Sequence, residues 1–258
     1  MPPRQKQKSV PTPTASLPLL YKEPVALNAN THRNLTVAPS PTGYTFAAKA
    51  QSVILAAVEF AEACRDYPII FSPAADGTIT PVALLGLQAE ENLYVDTSGR
   101  WKTSYIPAYI RRYPFILADT GTEELPVCID QAFDGLNLEG GQRLFTDQGE
   151  PTDYCRQIQA FTSEFQNQPR FTTAFSAKLQ ELELLRPLDA NIQLNDGATF
   201  QLQGLLIVDE NRLARLGDTA VLELFRKDYL GLIYAHLASI KNLSRLIDMK
   251  AVRQASPC

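Results

Sequence analysis

Cysteine is scarce in this chain: four residues in 258, at Cys64, Cys128, Cys155 and Cys258, with no CxxC pair among them. That spacing excludes a disulfide scaffold and a zinc ribbon, since both need thiols in close, repeated pairs. Histidine is scarcer still, with only His32 and His236. No HExxH or His-x-Asp spacing joins them. A non-haem metal site would need both histidines with a carboxylate such as Asp66 or Glu59, and it stands as the alternative to the expectation of no cofactor and no metal. No run approaches the about 18 apolar residues of a membrane-spanning helix. The most apolar helical stretch, Leu230 to Leu237, is short and carries His236. GxSxG, GxGxxG and GxxxxGK are all missing, and with them the marks of a hydrolase elbow, a dinucleotide fold and a P-loop.

Positive charge is also in short supply. Twenty-four Lys and Arg stand against 28 Asp and Glu, for a net charge of -4. Nucleic acid binding draws on a concentrated cationic field, so nucleic acid is excluded as the main partner. With 45% apolar residues, a chain of this length can bury a core that needs no staple, as one domain or as two small lobes sharing a core. The first eight residues are basic, and Pro11, Pro13 and Pro18 interrupt what a signal peptide would make an apolar helix. Residues 1–20 therefore read as a flexible leader, or as a peptide lying across a neighbouring groove. Residues 21–250 read as a single domain and 251–258 as a short tail. Dispersed thiols and no legible export signal lead to an expected cytoplasmic location, with signal-independent export to the cell surface as the other route.

Periodicity along the chain changes twice. Residues 24–29, 34–38 and 44–50 read as short strands. Ile54, Ala57, Val58, Ala61 and Cys64 then recur at helical spacing. YPIIFS, PVALLGL, ENLYVD, YPFIL and LPVCID read as strands, with TSG at 97–99 as a turn. From Thr152 the pattern is helical: Ile158, Phe161 and Phe165 share a side, Thr152 or Asp153 caps it, and Pro169 separates a second helix. ATFQLQGLLIVDE returns to strand spacing, and a long helix capped by Asp218 is expected from Thr219 to Asp248. The expected class is α+β, a mixed or antiparallel sheet core with helices concentrated in the C-terminal half.

Phrases along most of the chain carry a resemblance. THRNLTV, AAVEFAEACRDYPIIF, PVALLGL, ENLYVDTSGRWKTSYIPAYIRRYPFILA, LPVCID, GGQRLF, LQGLLIVDE and GLIYAHLASIKNLSRL occur in that order between about Val25 and Leu246. In these the chain resembles the SapC family of bacterial proteins, whose name is surface-layer-associated. The transporter permease that shares the name would need several long apolar spans and is a different protein. The resemblance implies an accessory or binding role linked to surface-layer or outer-membrane uptake systems. It implies no reaction.

Two segments concentrate chemistry. In EFAEACRDYP, Glu59, Glu62, Arg65 and Asp66 lie three and four apart, a spacing for helical ion pairs; Asp66, where helix meets strand, is also open to a binding or acid–base role. In RWKTSYIPAYIRRYPF, arginines Arg100, Arg111 and Arg112 mingle with Trp101, Tyr105, Tyr109 and Tyr113. Guanidinium donors beside aromatic faces suit a protein partner or a small anionic or aromatic ligand. The bland account is two arginines tying a helix end to acids elsewhere. His32 and Arg33, in a polar loop, complete the candidates. A binding protein predicts a broad Arg and aromatic surface. A small-molecule enzyme predicts one pocket where Asp66, Arg111, Arg112 and His32 converge.

Overall fold

The computed structural model describes residues 17–118, 125–167, 169–194 and 196–255; most of the expected leader and the last three residues of the expected tail lie outside them. Two antiparallel sheets organise the described residues. The first carries β1 (Pro24–Ala26), with β2 (Thr36–Val37) forming a separate short pair further on. β3 (Ser52–Ile54) leads into α1 (Phe60–Ala63), followed by β4 (Ile69–Pro73) and β5 (Ile79–Leu84). A single turn, α2 (Ala108–Arg111), precedes β6 (Phe115–Leu117), β7 (Val127–Asp130) and β8 (Gln142–Arg143). Then come α3 (Asp153–Asn167), α4 (Pro169–Glu181), the hairpin β9 (Leu185–Gln193) and β10 (Thr199–Val208), and α5 (Glu210–Leu213). The chain closes with α6 (Asp218–Arg226), α7 (Tyr229–Ser239) and α8 (Asn242–Ala255). The class is α+β, and every strand pair is antiparallel, with the long helices in the C-terminal half.

The larger sheet has the order β3-β5-β4-β10-β9 and the smaller β1-β7-β6. Ile69, Ile70 and Phe71 are all buried because β4 is central and covered on both faces. Phe60, Phe175, Tyr229 and Ile233 close the core over that sheet. A second core forms over the smaller sheet from Tyr21, Tyr113, Phe115, Ile129, Phe133 and Ile158. Leu20 and Phe46 pack against both cores, so the two share a seam.

His236 pins the larger core. Its Nε2 accepts from the Val208 N–H at 3.0 Å, and its Nδ1–H donates to the Ile69 carbonyl at 2.9 Å. Burial holds its pKa down at about 4. Ser239 is equally committed, accepting from Ile69 N and donating to His236 O. Lys250 and Glu91 form a buried ion pair at 2.5 Å, and Arg253 donates to Asn92 O and Val95 O. Residues 251–255 are thus the last turn of α8, tied to the 92–95 segment.

Several expected elements take other forms. Residues 44–50 form a 3-10 turn over Thr45–Ala47 in place of a strand, because Ala47 N and Ala48 N bond locally to Tyr44 O and Thr45 O. The helix expected from residue 52 starts later: Val53 and Ile54 are β-branched and pair with Ala83 and Val82. Residues 91–96 make only one bridge, Val95 with Trp101, since the N–H groups of Asn92 and Leu93 go to Ala48 and Leu85. The long C-terminal helix is three. Asp228 adopts a left-handed φ of 59° between α6 and α7, and the chain turns again before Asn242, whose side chain donates to Cys64 O and Tyr67 O. Gly217 holds the cap position of α6, and Asp218 sits in its first turn, where a carboxylate suits the helix dipole. At α3 the Thr152 hydroxyl accepts from Cys155 N.

Candidate functional site

Glu59 begins the construction of the site. Its buried carboxylate takes three donors: Tyr105 Oη at 2.7 Å, the Ala108 N–H at 2.7 Å and the Ala56 N–H at 2.9 Å. The Ala56 bond starts the helical turn that leads into α1, and the Ala108 bond fixes the first N–H of α2. One carboxylate thereby joins the 56–60 segment to the turn that carries both arginines. With every donor accounted for, Glu59 is a positioning residue.

Arg111 and Arg112 leave α2 in different directions. Arg111 is exposed; its Nε donates to Ile106 O at 2.9 Å, and its guanidinium lies 5.3 Å from the Phe161 ring centre and 5.9 Å from that of Tyr105. Arg112 is 9% exposed. Its guanidinium carbon lies 4.2 Å from the Tyr109 ring centre, 4.5 Å from Phe165 and 5.8 Å from Tyr21. Neither arginine pairs with a carboxylate among the described residues. The bland account, a tie from a helix end to acids elsewhere, therefore finds no such acid among them. Two buried side-chain polar atoms among the described residues lack a hydrogen-bond partner, and one is Arg112 Nε. A buried charge with no counter-charge costs several kcal/mol, of which each aromatic contact returns about 0.5–2 kcal/mol.

Both arginines line a cleft of about 450 Å3 at the seam of the two cores. Its wall is a run of rings: Tyr44 and Phe46 at 5.9 Å, Phe46 stacked on Tyr113 at 4.4 Å, and Tyr113 edge-on to Phe133 at 5.5 Å. Other parts of the chain hold that wall. Asp134 accepts from the hydroxyls of Ser40 and Thr42. The Tyr44 N–H donates to Gly99 O at 2.7 Å. Gly99, at φ +80°, brings its backbone so close that a Cβ would lie 2.0 Å from Thr42 O. Asp130 secures the far end, taking the Lys22 and Glu23 N–H groups and the Tyr113 hydroxyl. The chain at Leu19 to Tyr21 crosses beside Arg112: Tyr109 Oη donates to Leu19 O, and Tyr21 Oη to Phe115 O. Burial pushes the Tyr21, Tyr105 and Tyr113 phenols above their ordinary value. They stay neutral, as donors and apolar surface.

Of the expected site residues, Arg111 and Arg112 line the cleft, while Glu59, Tyr105 and Tyr109 support them from behind it: Glu59 bonds Tyr105 and the start of α2, Tyr105 lies under Arg111, and Tyr109 lies under Arg112. Trp101 lies one step behind, donating Nε1–H to Tyr67 Oη at 2.8 Å while Tyr67 itself bonds to Tyr105 O. Arg65 pairs with Glu62 at 2.9 Å on the surface, and Asp66 with Arg245 at 3.3 Å. His32 and Arg33 line a separate small hollow, where His32 Nδ1 accepts from Asn28 N. Asp66 and His32 thus do not line the cleft with the arginines. Among the described residues no group of three His, Cys, Asp and Glu is placed to hold a metal ion. Sequence reasoning missed Tyr21, Phe46 and Phe133, which reach the site from distant segments. The apolar face of Ile158, Phe161 and Phe165 was a signal, though it reads as core.

The architecture is antiparallel α+β, with a cleft at the seam of two cores. Residues 27–246 match SapC, and the chain belongs to the SapC family. No curated protein and no solved structure matches the chain. The family's surface-layer-associated name points away from a purely cytoplasmic location and corrects the expectation of one. Among the described residues no helix is long and apolar enough to cross a membrane.

Proposed function

We propose that this SapC protein is a binding protein, and that its recognition site is the cleft lined by Arg111 and Arg112. The observation that carries the reading is Arg112: a guanidinium nine-tenths buried, packed on aromatic rings, with an unpartnered Nε and no ion pair to an acid among the described residues. Buried polar groups are normally satisfied, so an unsatisfied one in a residue that lines a cavity invites a partner from outside the chain. An anion supplies it. The rings that line the cleft, Tyr44, Phe46, Tyr113 and Phe133, favour a ligand with an apolar or aromatic body. Among the described residues none that lines the cleft pairs a nucleophile with a base, which is why binding is preferred to catalysis.

Native mass spectrometry of protein taken from its own cells tests the reading, with Arg112→Met prepared alongside. A small-molecule adduct on the parent protein and its loss from the folded variant are expected. An adduct held equally by both would place recognition elsewhere.

A further inference from the structure

The cleft's chemistry narrows the ligand class, an inference that rests on the cleft being the recognition site. No acidic residue lines it among the described residues, and its cations are the two arginines alone. A zwitterionic amino acid would bring an ammonium with no carboxylate to meet it, and burying that charge unpaired is costly. A polyphosphate would need several cations or a nest of backbone N–H groups, as phosphate sites have. Of the residues that line it, Arg112 carries a buried guanidinium and Arg111 an exposed one, beside a wall of rings. A guanidinium fork matches one group best, a planar carboxylate that takes two N–H donors at once.

The wall settles the other end of the ligand. Phe46, Tyr113 and Phe133 form a contiguous set of faces and edges, to which a further ring adds by offset or edge-on contact. We infer that the cleft binds an aryl or arylalkyl carboxylate without a free amino group, its carboxylate on Arg112 and its ring against the Phe46–Tyr113–Phe133 wall. Arg111 adds long-range attraction at the exposed side.

Isothermal titration calorimetry on the full chain at low salt tests this with three probes: 3-phenylpropanoate, 3-phenylpropanamide and phenylalanine. The propanoate is expected to bind. The amide, which cannot pair with a cation, and phenylalanine, which adds an unmatched ammonium, should each bind about tenfold to a hundredfold more weakly, the range of a charge-assisted hydrogen bond. Arg112→Lys keeps the charge and loses the fork, so it should weaken the propanoate about tenfold and leave the amide unchanged. Because the probe comparison is made on the parent protein, the test does not depend on that variant folding. Equal binding of propanoate and amide, or tighter binding of phenylalanine, overturns the ligand class. So does silence from all three probes when the native adduct still requires Arg112, and in that case the cleft remains the site. Silence from the probes together with an adduct indifferent to Arg112 overturns the cleft itself.

Discussion

Replacing His236 by Gln should flatten the acid side of the stability profile. His236 accepts from the Val208 N–H through Nε2 and donates through Nδ1 to Ile69 O, so a second proton could go only on Nε2, facing a donor, in a fully buried site. Burial accordingly lowers its pKa from 6.5 to about 4. In the unfolded chain the same imidazole titrates near its ordinary value. Between pH 6.5 and 4 the unfolded state therefore holds a proton that the native state refuses, and stability falls as pH falls. It is fully present above pH 6.5 and lost on the way down to the folded pKa. Integrated over that window the loss is about 3 kcal/mol, of which about 2 kcal/mol comes between pH 7 and pH 5. Gln offers an acceptor and a donor but does not titrate. Urea midpoints measured from pH 7 to pH 4.5 on both proteins separate the slope from any offset the substitution itself causes. The parent protein should take up close to one more proton on unfolding than the variant. Parallel pH dependences would refute the assignment of His236 as a neutral core cross-link.

Two further outcomes follow from burial. Glu59→Ala leaves Tyr105 Oη and the N–H groups of Ala56 and Ala108 without their acceptor. It should cost about 3 kcal/mol in urea unfolding, and a loss below about 1 kcal/mol would show that Glu59 does not hold α2 in place. Burial pushes the thiols of Cys128 and Cys155 above their ordinary value, so at neutral pH iodoacetamide should label both about tenfold or more slowly than the half-exposed Cys64 in the folded protein, as peptide mass mapping will read; comparable labelling of all three would show that the packing around Cys128 and Cys155 opens readily.

How far the fold can be read from the sequence depends on where each segment's hydrogen bonds go. β4 and β5 are legible because Ile69 to Phe71 and Val82 to Leu84 are continuous apolar runs bounded by proline and glycine. Helix α3 is legible from its cap and its spaced Ile158, Phe161 and Phe165. The strand β9 is not, for LRPLDANIQ is polar, carries Pro187 and gains its form from pairing with β10 at the sheet edge. The break at Asp228 hides inside a periodicity that three packed helices share. For the site, the density of arginine and tyrosine between residues 100 and 113 marks the right stretch. It cannot say that Arg112 turns inward and Arg111 outward. Nor can it say that Asp66, so close in sequence to Glu59, turns to Arg245 while Glu59 reaches Ala108.

The same geometry explains how an unpaired arginine persists in a folded protein. Its position is fixed from several sides by bonds that do not involve its charge: Glu59 to the start of α2, Asp130 to Tyr113 and the 22–23 backbone, Tyr109 Oη to Leu19 O. Each is a satisfied interaction beside the seam of the two cores, and together they can carry one unsatisfied group between them. A core built for stability alone would place an apolar side chain there, or an acid beside the guanidinium. Holding Arg112 rigid and unpaired sacrifices some stability, and it leaves the ordering cost of a charge-assisted contact already met before any anion arrives. If the cleft is the recognition site proposed above, loss of the Arg112 charge should register in ligand affinity more strongly than in the fold.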